Sequence, residues 1–520
     1  MQWFNVPVRT HIFKEGDDIV NFACQYTAGV AGPGDIIALA ESVMAITQRR
    51  AILPETIRPG FWARFISRFP AKHGSLATPP AMQLAIQEVG LPRILLGCLA
   101  AVIGKLIGRK GYFYLVAGRK LALIDDIAGT MWPYEKHIIL GPREPEKIVS
   151  AINKISGREA VIADVNDIKC VDILAATSLQ SAEVAKRALI DNPFGNDDQQ
   201  TPIVVIKSKE ARADWEVARL TNIWSKVYSL RNRSVSCIVI ESIFPCRYQL
   251  IQNGPKEVTL LLDTAVPNMS CETIAVHDGL VEEIAVQAGN NSCLTVRITL
   301  AHGAPYEIIP EEGIPARIYL NFDRSPLAEV FGSRIIILEP GHGGSDLGKK
   351  GPVDLLEKNV VLAMAERLKG QLGEAGAQVF LTRTGDQQVS PEERFGLAKK
   401  KRAHLFISLH TNYHEDDSVG GLAVSFNPVN PDSLPLAQII AEELARKIKR
   451  NVLEISADYE LSALGNTPGL KIKPVTISNW VEEGLLRNPT LYDKIATAIL
   501  NGLRMYFSTK EINKACPGKR

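Results

Sequence analysis

The sequence of 520 residues lacks an excess of charge of either sign, because 59 lysines and arginines face 57 aspartates and glutamates, for a net charge of +2. This balance indicates neither a nucleic-acid partner nor a lipid surface. Hydrophobic residues make up 46% of the chain and charged residues 22%, as in ordinary globular proteins. A chain of this length exceeds a single hydrophobic core, so we expect roughly two to four domains.

The sequence also lacks a long apolar run. Its most apolar stretch, residues 94–103, is bracketed by Arg93 and Lys105 and is too short to span a bilayer, so we predict no transmembrane segment. A buried helix is the favoured interpretation of this stretch, and a helix on a membrane surface is the alternative. The opening residues MQWFNVPVRTHIFKEGDD do not resemble a secretory signal peptide, which predicts a cytoplasmic protein.

Paired-cysteine and nucleotide-loop motifs are absent as well. None of the eight cysteines forms a CxxC motif, and no GxxxxGK[ST] run is present, which excludes a P-loop site. Four cysteines fall in the central segment: Cys237, Cys246, Cys271 and Cys293. In an exported protein they could form two disulfides, but without an export signal free buried thiols are favoured.

Strand and helix patterns predict a multidomain α/β protein. Residues 1–207 mix both patterns, which predicts a mixed α/β domain, and residues 208–234 read as a helical linker. Residues 235–325 consist of short apolar runs separated by turn signals, which is typical of an all-β module. Residues 330–508 alternate strands with helices and predict an α/β domain, followed by a tail at 509–520.

Three residues of the last domain have side chains that suit a metal ion. His342 in EPGHGGSD follows the strand RIIIL, His410 ends the strand HLFISLH, and Glu357 begins an amphipathic helix. Because ligands of open α/β sheets gather at the carboxyl ends of strands, the two histidines are expected to converge. Two histidines and a carboxylate leave a fourth position for water, as catalytic zinc requires. His404 and His414 are interpreted as a surface residue at a strand start and a loop residue.

Four segments occur in order here: LEPGHGGSDLGKKG, LLEKNVVLAMAERLKGQL, VFLTRTGD and SPEERFGLAKKKRAHLFISLHTNY. They resemble the zinc-dependent N-acetylmuramoyl-L-alanine amidases. The resemblance implies a mostly parallel sheet, His342, Glu357 and His410 as ligands of zinc (Zn2+), and hydrolysis of the lactyl–L-alanine amide in peptidoglycan or muropeptides. Arg383 and Arg394 could orient substrate carboxylates, although surface or salt-bridge roles are favoured for them.

The catalytic glutamate of that family has two candidate positions. The local motif VEEGLLRN supplies Glu482, whereas a slightly more persuasive ungapped alignment matches Ser478-Asn479 to the family's SN and puts Lys473 at the catalytic position. A charged lysine cannot accept a proton. The sequence therefore leaves two alternatives: an active amidase with Glu482 as base, and a weak or inactive peptidoglycan-binding protein with the same fold.

A second, weaker resemblance covers the first domain. KEGDDIV, PGDIIALAESVMAITQRRA and TPPAMQLAIQEVGLPRILLG resemble the opening of the ligases that add γ-linked glutamate to a deazaflavin coenzyme. This implies a site for a nucleotide and for Mg2+ or Mn2+, with Asp125, Asp126 and Asp164 at the positions of the metal carboxylates. Turn or helix-cap roles are the alternative for these aspartates.

The two resemblances give a third functional alternative and opposing indications of location. A ligase acting on a glutamate-containing acceptor would suit a cytoplasmic protein without a signal peptide. A cell-wall substrate would suit an exported one.

Overall fold

The computed structural model describes the chain apart from residues 1–2, 71–75, 109–110, 126–132, 167–168, 196–198, 209–217, 231–232, 264, 290–292 and 516–520. The chain divides into two compact units. Unit 1 comprises Met1–Tyr228, Ser236–Val276 and Glu283–Phe322, and unit 2 comprises Ser229–Val235, His277–Glu282 and Asp323–Arg520.

The part of unit 1 before residue 209 is a mixed α/β arrangement, as predicted. Its helices and strands are β1 (Trp3–Val8), α1 (Ile19–Thr27), β2 (Ile36–Ala40), α2 (Glu41–Thr47), β3 (Ala51–Ile52), α3 (Phe61–Ile66), α4 (Pro79–Val89), α5 (Leu91–Leu106), α6 (Tyr112–Ala117), β4 (Ile138–Ile139), α7 (Pro145–Ser156), β5 (Glu159–Asn166), β6 (Cys170–Ala176), α8 (Leu179–Ala188) and β7 (Ile203–Ser208).

The main sheet of this region has the strand order β1-β7-β2-β5-β6, in which only the β2/β5 pair is parallel. Because side chains alternate across a strand, β2 feeds two cores. Ile37 and Leu39 pack with residues of α1 and α7, whereas Ile36 and Ala38 pack with residues of α8. The sheet is therefore covered by helices on both faces.

The central region is all-β, as predicted, but begins earlier than residue 235. Its strands form two five-stranded sheets, of order β10-β11-β15-β14-β13 and β12-β8-β9-β17-β16. The strands are β8 (Ala218–Leu230), β9 (Arg233–Ser242), β10 (Arg247–Gln252), β11 (Glu257–Asp263), β12 (Ala265–Pro267), β13 (Ile274–Ala275), β14 (Val281–Ala288), β15 (Leu294–Leu300), β16 (Tyr306–Glu311) and β17 (Ala316–Asp323).

The predicted helical linker at 208–234 is wrong over the part that the structure describes. Residues 218–230, ARLTNIWSKVYSL, form the long strand β8. Threonine, isoleucine, valine and aromatic residues occur through this segment, and they favour a pleated strand over a helix. The charges that suggested a helix lie mostly in 209–217, outside the described residues.

The predicted burial of residues 94–103 is also wrong. They belong to α5, in which only Ile94, Gly97 and Gly104 are buried. No single helix in the described part of the chain is long and apolar enough to cross a membrane. The consecutive pair α4 and α5 meets the length and composition criteria together, but the two helices are bent by 112°.

Unit 2 contains the predicted α/β domain with a mostly parallel sheet. Its elements are α9 (Pro326–Phe331), β18 (Ile335–Pro340), α10 (Glu357–Glu374), β19 (Gln378–Leu381), α11 (Pro391–Lys401), β20 (Leu405–Leu409), β21 (Leu422–Phe426), α12 (Ser433–Ile448), β22 (Val452–Ala457), β23 (Gly469–Lys473), α13 (Trp480–Leu485) and α14 (Pro489–Ala515). The six-stranded sheet has the order β19-β18-β20-β23-β21-β22, and the β21/β23 pair is antiparallel while the others are parallel.

The strand order opens a crevice between the ends of β18 and β20. From β18 the chain returns through α10 to β19 on one side, whereas β20 leads to the strands on the other side. Loops that diverge in this way leave a binding cleft at the carboxyl ends of the two neighbouring strands. His342 and His410 follow these two strands directly, and Glu357 is the first residue of α10.

Candidate metal centre

His342, Glu357 and His410 converge in this crevice. One ligand atom from each lies within 4.8 Å of the others. His342 Nε2 is 3.2 Å from Glu357 Oε2, and His410 Nδ1 is 3.2 Å from Glu357 Oε1. The two imidazole rings meet edge to face, with centroids 4.8 Å apart. Two imidazole nitrogens and a carboxylate are ligand types that catalytic metal sites use, so these three residues could hold a metal ion.

The carboxylate of Glu357 is buried yet held in its charged form. Glu357 is 1% exposed and accepts hydrogen bonds from the backbone N–H groups of Lys349, at 2.7 Å, and Thr411, at 2.8 Å. Burial alone would raise its pKa, but hydrogen bonds from His342, His410 and Thr411 hold the pKa far below its usual value. Burial likewise opposes protonation of His342, and the neighbouring carboxylates Glu357 and Asp346 outweigh it and raise the pKa.

Each histidine directs its second ring nitrogen at another carboxylate. His342 Nδ1 lies 2.8 Å from Asp346 Oδ2, and His410 Nε2 lies 3.8 Å from Glu339 Oε2. Asp346 is within hydrogen-bond distance of His342, so it can orient that imidazole and raise its basicity. Glu339 is too far from His410 for a hydrogen bond, and its carboxylate is engaged by Arg394 and Ser408. Neither carboxylate was predicted from the sequence. Asp346 is four residues after His342, and Glu339 is a buried acid at the end of a strand, which are the signals that could have drawn attention to them.

Glycines leave space for the imidazole rings. A Cβ atom on Gly341 would lie 2.2 Å from His410 Cε1, and one on Gly348 would lie 2.6 Å from His342 Cδ2. His342 itself has a φ of 63°, a left-handed conformation that non-glycine residues rarely adopt. Such strain is concentrated at functional sites, where the surrounding structure enforces it.

Comparison with known proteins agrees with this geometry. Residues 336–505 match the family described as N-acetylmuramoyl-L-alanine amidase. The germination-specific N-acetylmuramoyl-L-alanine amidase of Bacillus subtilis is 31% identical over 206 residues, which cover 36% of this chain and 86% of that protein. The chain belongs to the N-acetylmuramoyl-L-alanine amidase family. The matched residues lie in unit 2, which therefore contains the amidase domain.

Other relatives share only this domain. The probable cell wall amidase LytH of Staphylococcus epidermidis is 30% identical over 190 residues, covering 36% of this chain and 63% of that protein. AmiC of Escherichia coli is 27% identical, and the match covers 34% of this chain and 53% of the relative. Among solved structures, the CwlD amidase of Clostridioides difficile in complex with the GerS lipoprotein is 29% identical with a TM-score of 0.33, covering 34% of this chain and 100% of that one.

Two arginines of the amidase domain support the loop that contains His342. Arg383 is buried and donates to the backbone carbonyls of Pro340, at 3.0 Å, and Gly341, at 2.8 Å. Arg394 forms an ion pair with Glu339. The ion pair of Arg394 agrees with the favoured interpretation from the sequence, whereas Arg383 is wrongly predicted, because it is buried and donates to backbone carbonyls.

His404 and His414 lie outside the convergent group, as predicted. His404 is exposed, and its Nδ1 accepts the backbone N–H of Ile335 at 2.9 Å. His414 is exposed in the loop after β20, where its Nδ1 accepts from the backbone N–H of Asp416 at 3.0 Å.

Lys473 and Glu482 have different surroundings. Lys473 ends β23 and follows Ile472, whose carbonyl accepts the backbone N–H of His410 at 3.0 Å. Glu482 lies in α13 and is buried.

The carboxylate of Glu482 is occupied by other groups. Its Oε2 accepts from the backbone N–H groups of Thr476, at 2.6 Å, and Gly421, at 3.1 Å, while Oε1 lies 3.2 Å from Arg450 Nε. These contacts tie together the loops that precede α13 and β21.

In unit 1 the structure brings acidic residues together around Glu41. Ala40 is the register partner of Ala163 in the parallel β2/β5 pair, so Glu41 and Asp164 follow side by side, and Asp172 is opposite Asp164 on β6. Glu41 is 8% exposed and has no hydrogen-bond or ion-pair partner among the described residues. Burial and the charges of Asp125, Asp164 and Asp172 raise its pKa to about 9.

This cluster contains Asp125 and Asp164 of the predicted second metal site, and Asp126 lies outside the described residues. Glu41 and Asp172 were missed. Glu41 directly follows the strand IIALA. The histidines of the other unit were noticed because they also come after strands, so the same signal could have pointed to Glu41.

Proposed function

We propose that this protein is a zinc-dependent N-acetylmuramoyl-L-alanine amidase that cleaves the lactyl–L-alanine amide of peptidoglycan or muropeptides. The observation that carries the proposal is the convergence of His342, Glu357 and His410 at the end of the amidase sheet. The arrangement fits zinc because two imidazoles and a charged carboxylate come together, and Asp346 holds the orientation of His342.

The chain's own residues would hold the reacting groups in a fixed geometry. His342, oriented by Asp346, would supply one ligand, and His410 and the charged Glu357 would supply two more. When bound, zinc would polarise the scissile carbonyl and activate water. Since Arg383 and Arg394 are engaged with the protein, we do not assign them to the substrate.

The first experiment measures zinc content and turnover of the full chain. Zinc would be determined by elemental mass spectrometry after dialysis, and turnover by release of L-alanine peptides from purified muropeptides. We expect bound zinc and hydrolysis, both abolished in His342→Ala. His404→Ala is the matched control, because His404 is an exposed histidine outside the centre, and it should retain both. A chain that hydrolyses muropeptides equally well after His342→Ala would exclude the proposed centre.

We further propose that Lys473, rather than Glu482, occupies the position of the family's catalytic base, so that the native chain hydrolyses slowly. Two observations support this. Lys473 is the last residue of β23, and the carbonyl of the preceding Ile472 accepts the backbone N–H of His410. The Glu482 carboxylate is engaged by two backbone N–H groups and by Arg450, which suits a structural anchor.

Charge-changing variants distinguish these assignments. Lys473→Glu should raise turnover by about 100-fold or more, the scale of a well-placed general base, with zinc content unchanged. Lys369→Glu, a change of the same sign at an exposed position of α10, should leave turnover unaltered. Glu482→Gln should lower stability without a selective loss of kcat. A folded, zinc-loaded Glu482→Gln protein with turnover reduced by about 100-fold would instead assign the base to Glu482.

A second candidate function is cation binding in unit 1. The buried Glu41 without a partner, together with Asp125, Asp164 and Asp172, offers the oxygen ligands that Mg2+ and Mn2+ prefer. This arrangement supports the metal site that the ligase alternative requires. Nucleotide binding by unit 1 stays a prediction from the sequence.

Manganese titration followed by electron paramagnetic resonance tests this second site. We expect the full chain, with the zinc centre filled, to bind Mn2+, and Glu41→Gln and Asp164→Asn to weaken binding. Asp191→Asn, at an exposed aspartate of unit 1, is the control. Equal Mn2+ binding by all of these proteins would exclude the site.

A further inference from the structure

Unit 1 exposes large apolar side chains on α3, α5 and α6, and in α6 Leu115 is 77% exposed. In α5, Leu95, Leu99, Val102 and Leu106 are spaced by four, three and four residues, which puts them on one face, and Leu106 is 81% exposed. In α3, Phe61 is 73% exposed and stacks with Phe65 at a centroid distance of 6.2 Å. Isolated exposed leucines are normal, but clusters of this kind mark interaction surfaces.

The opposite side of α5 is already packed within the protein. A Cβ atom on Gly97 would lie 2.8 Å from the Cβ of Ala117 in α6, so the glycine allows the two helices to approach closely. Ile94 and Gly104 are buried on the same helix. The side of α5 that faces the protein core is therefore already covered. The exposed apolar residues form a second face, which points to solvent.

The same segment has a strong positive charge that the whole-chain balance conceals. Residues 57–124 contain ten lysines and arginines and one acidic residue, Glu88. Glu88 lies 3.2 Å from Arg50, so its charge is already paired. Six of these cations are exposed in the folded chain: Arg58, Arg64, Arg68, Arg93, Lys105 and Lys120.

We propose that α3, α5 and α6 form a surface by which the protein docks on a lipid bilayer that contains anionic headgroups. Leucine and aromatic side chains would enter the interface while lysines and arginines contact the headgroups, as in helices that lie in the plane of a membrane. A second copy of the chain is the less suitable occupant, because docking would bring two strongly cationic segments face to face.

Helix α5 is suited to lying on the bilayer rather than crossing it. Its 16 residues give a length of about 24 Å, less than the roughly 30 Å of a hydrocarbon core. The preceding helix α4 cannot extend it into the bilayer, because Met82, Leu84 and Ala85 are buried in the protein. The bend of 112° between the two helices keeps α4 in the fold while α5 lies at the surface.

Vesicle flotation of the full chain tests the proposal. The probes are vesicles of phosphatidylcholine alone and vesicles with about 30% phosphatidylglycerol. We expect binding to the anionic vesicles that weakens as salt is raised, because the charge contribution is screened. The double change Leu99→Glu and Val102→Glu should reduce partitioning by at least about tenfold, since it removes apolar area and adds like charge.

Leu179→Glu is the matched control, because Leu179 is 90% exposed in α8 of the same unit but outside the cationic segment. It should bind vesicles like the native chain, and circular dichroism should show all variants folded. Failure of the native chain to bind anionic vesicles would overturn the proposal. So would a stable dimer in lipid-free sedimentation that the double change dissociates. Neither result depends on amidase turnover, so this test is separate from that of the metal centre.

Discussion

Gly341 leaves no space for a methyl group beside the metal centre. An added Cβ would lie 2.2 Å from His410 Cε1, so an alanine there must displace the imidazole. We expect Gly341→Ala to weaken zinc binding by about 10- to 100-fold, the effect of disturbing the groups that orient a ligand. Competition with a chromogenic chelator measures this affinity.

Gly370→Ala provides the matched control. Gly370 lies in α10 of the same domain with nothing within 4 Å of an added Cβ. Alanine in a helix interior should add about 0.5–1 kcal/mol of stability and leave zinc affinity unchanged. Unaltered zinc affinity in Gly341→Ala would show that His410 is not a ligand.

All four members of the central cysteine group are free thiols, as favoured from the sequence, but their predicted burial is confirmed only for Cys237, and Cys271 is exposed. Burial raises the pKa of the Cys237 thiol to about 11. Because the thiolate is the reactive form, alkylation of Cys237 at pH 8 should be at least about 100-fold slower than that of the exposed Cys170. Peptide mass spectrometry after timed labelling would measure both rates, and equal rates would contradict the buried assignment.

At the scale of secondary structure, a buried ion pair joins the turn before β2 to strand β7. Lys207 Nζ donates to Asp35 Oδ2 at 2.6 Å and to the Val30 carbonyl at 2.7 Å, and both side chains are buried. Removing one partner of such a pair leaves an uncompensated buried charge. Asp35→Asn should therefore cost about 3–5 kcal/mol of unfolding free energy at pH 7.

The loss should diminish at higher pH. Burial lowers the pKa of the Lys207 ammonium below its usual value, so between that pKa and the unfolded value the unfolded chain binds more protons. The free energy of unfolding therefore rises with pH over this window. It should rise more steeply in Asp35→Asn, where no carboxylate offsets the charge of Lys207. Urea unfolding at pH 7 and 9 measures the difference. Glu183→Gln, which breaks an exposed pair with Lys186, should change stability by less than about 1 kcal/mol.

Elements with strong periodicity were predictable. The amphipathic helix predicted to begin at Glu357 is α10, and its regularly spaced apolar residues are buried: Val361, Met364, Ala365, Leu368 and Leu372. The parallel strands β18 and β20 likewise appear as continuous apolar runs because both their faces are covered. The prediction of a helical linker at 208–234 was wrong because it relied on the charged residues at the start of the segment. The β-branched and aromatic residues that follow favour the strand β8.

The convergence of His342, Glu357 and His410 was predictable from the sequence, and their surroundings were less so. His342 and His410 follow strands, where a sheet collects functional residues, but the sequence signals of Glu339 and Asp346 are weak, and the distances to the imidazoles are what point to them. The choice between Lys473 and Glu482 depended on alignment register. Hydrogen bonds to Glu482 add information that no spacing contains.

At the scale of the whole molecule, average composition conceals local specialisation. A net charge of +2 indicated no charged partner, yet residues 57–124 contain ten basic residues against one acidic residue, so the remaining chain is net acidic. Similarly, the apolar stretch of α5 was predicted to be buried, because composition does not show whether another part of the protein covers a helix. Exposure in the folded chain is what distinguishes a docking face from a core helix.

The division into two units predicts that zinc stabilises only part of the molecule. Domains tend to unfold as units, and a ligand stabilises only the part that binds it, by about 2.7 kcal/mol at 100 times its Kd. We expect calorimetry to resolve at least two transitions, of which one, belonging to the amidase domain, moves down when zinc is removed by a chelator. In His342→Ala this transition should no longer respond to zinc or chelator, while Glu41→Gln should leave the response intact. A uniform shift of all transitions on chelation, or a response that persists in His342→Ala, would mean that the stabilising ion is bound elsewhere.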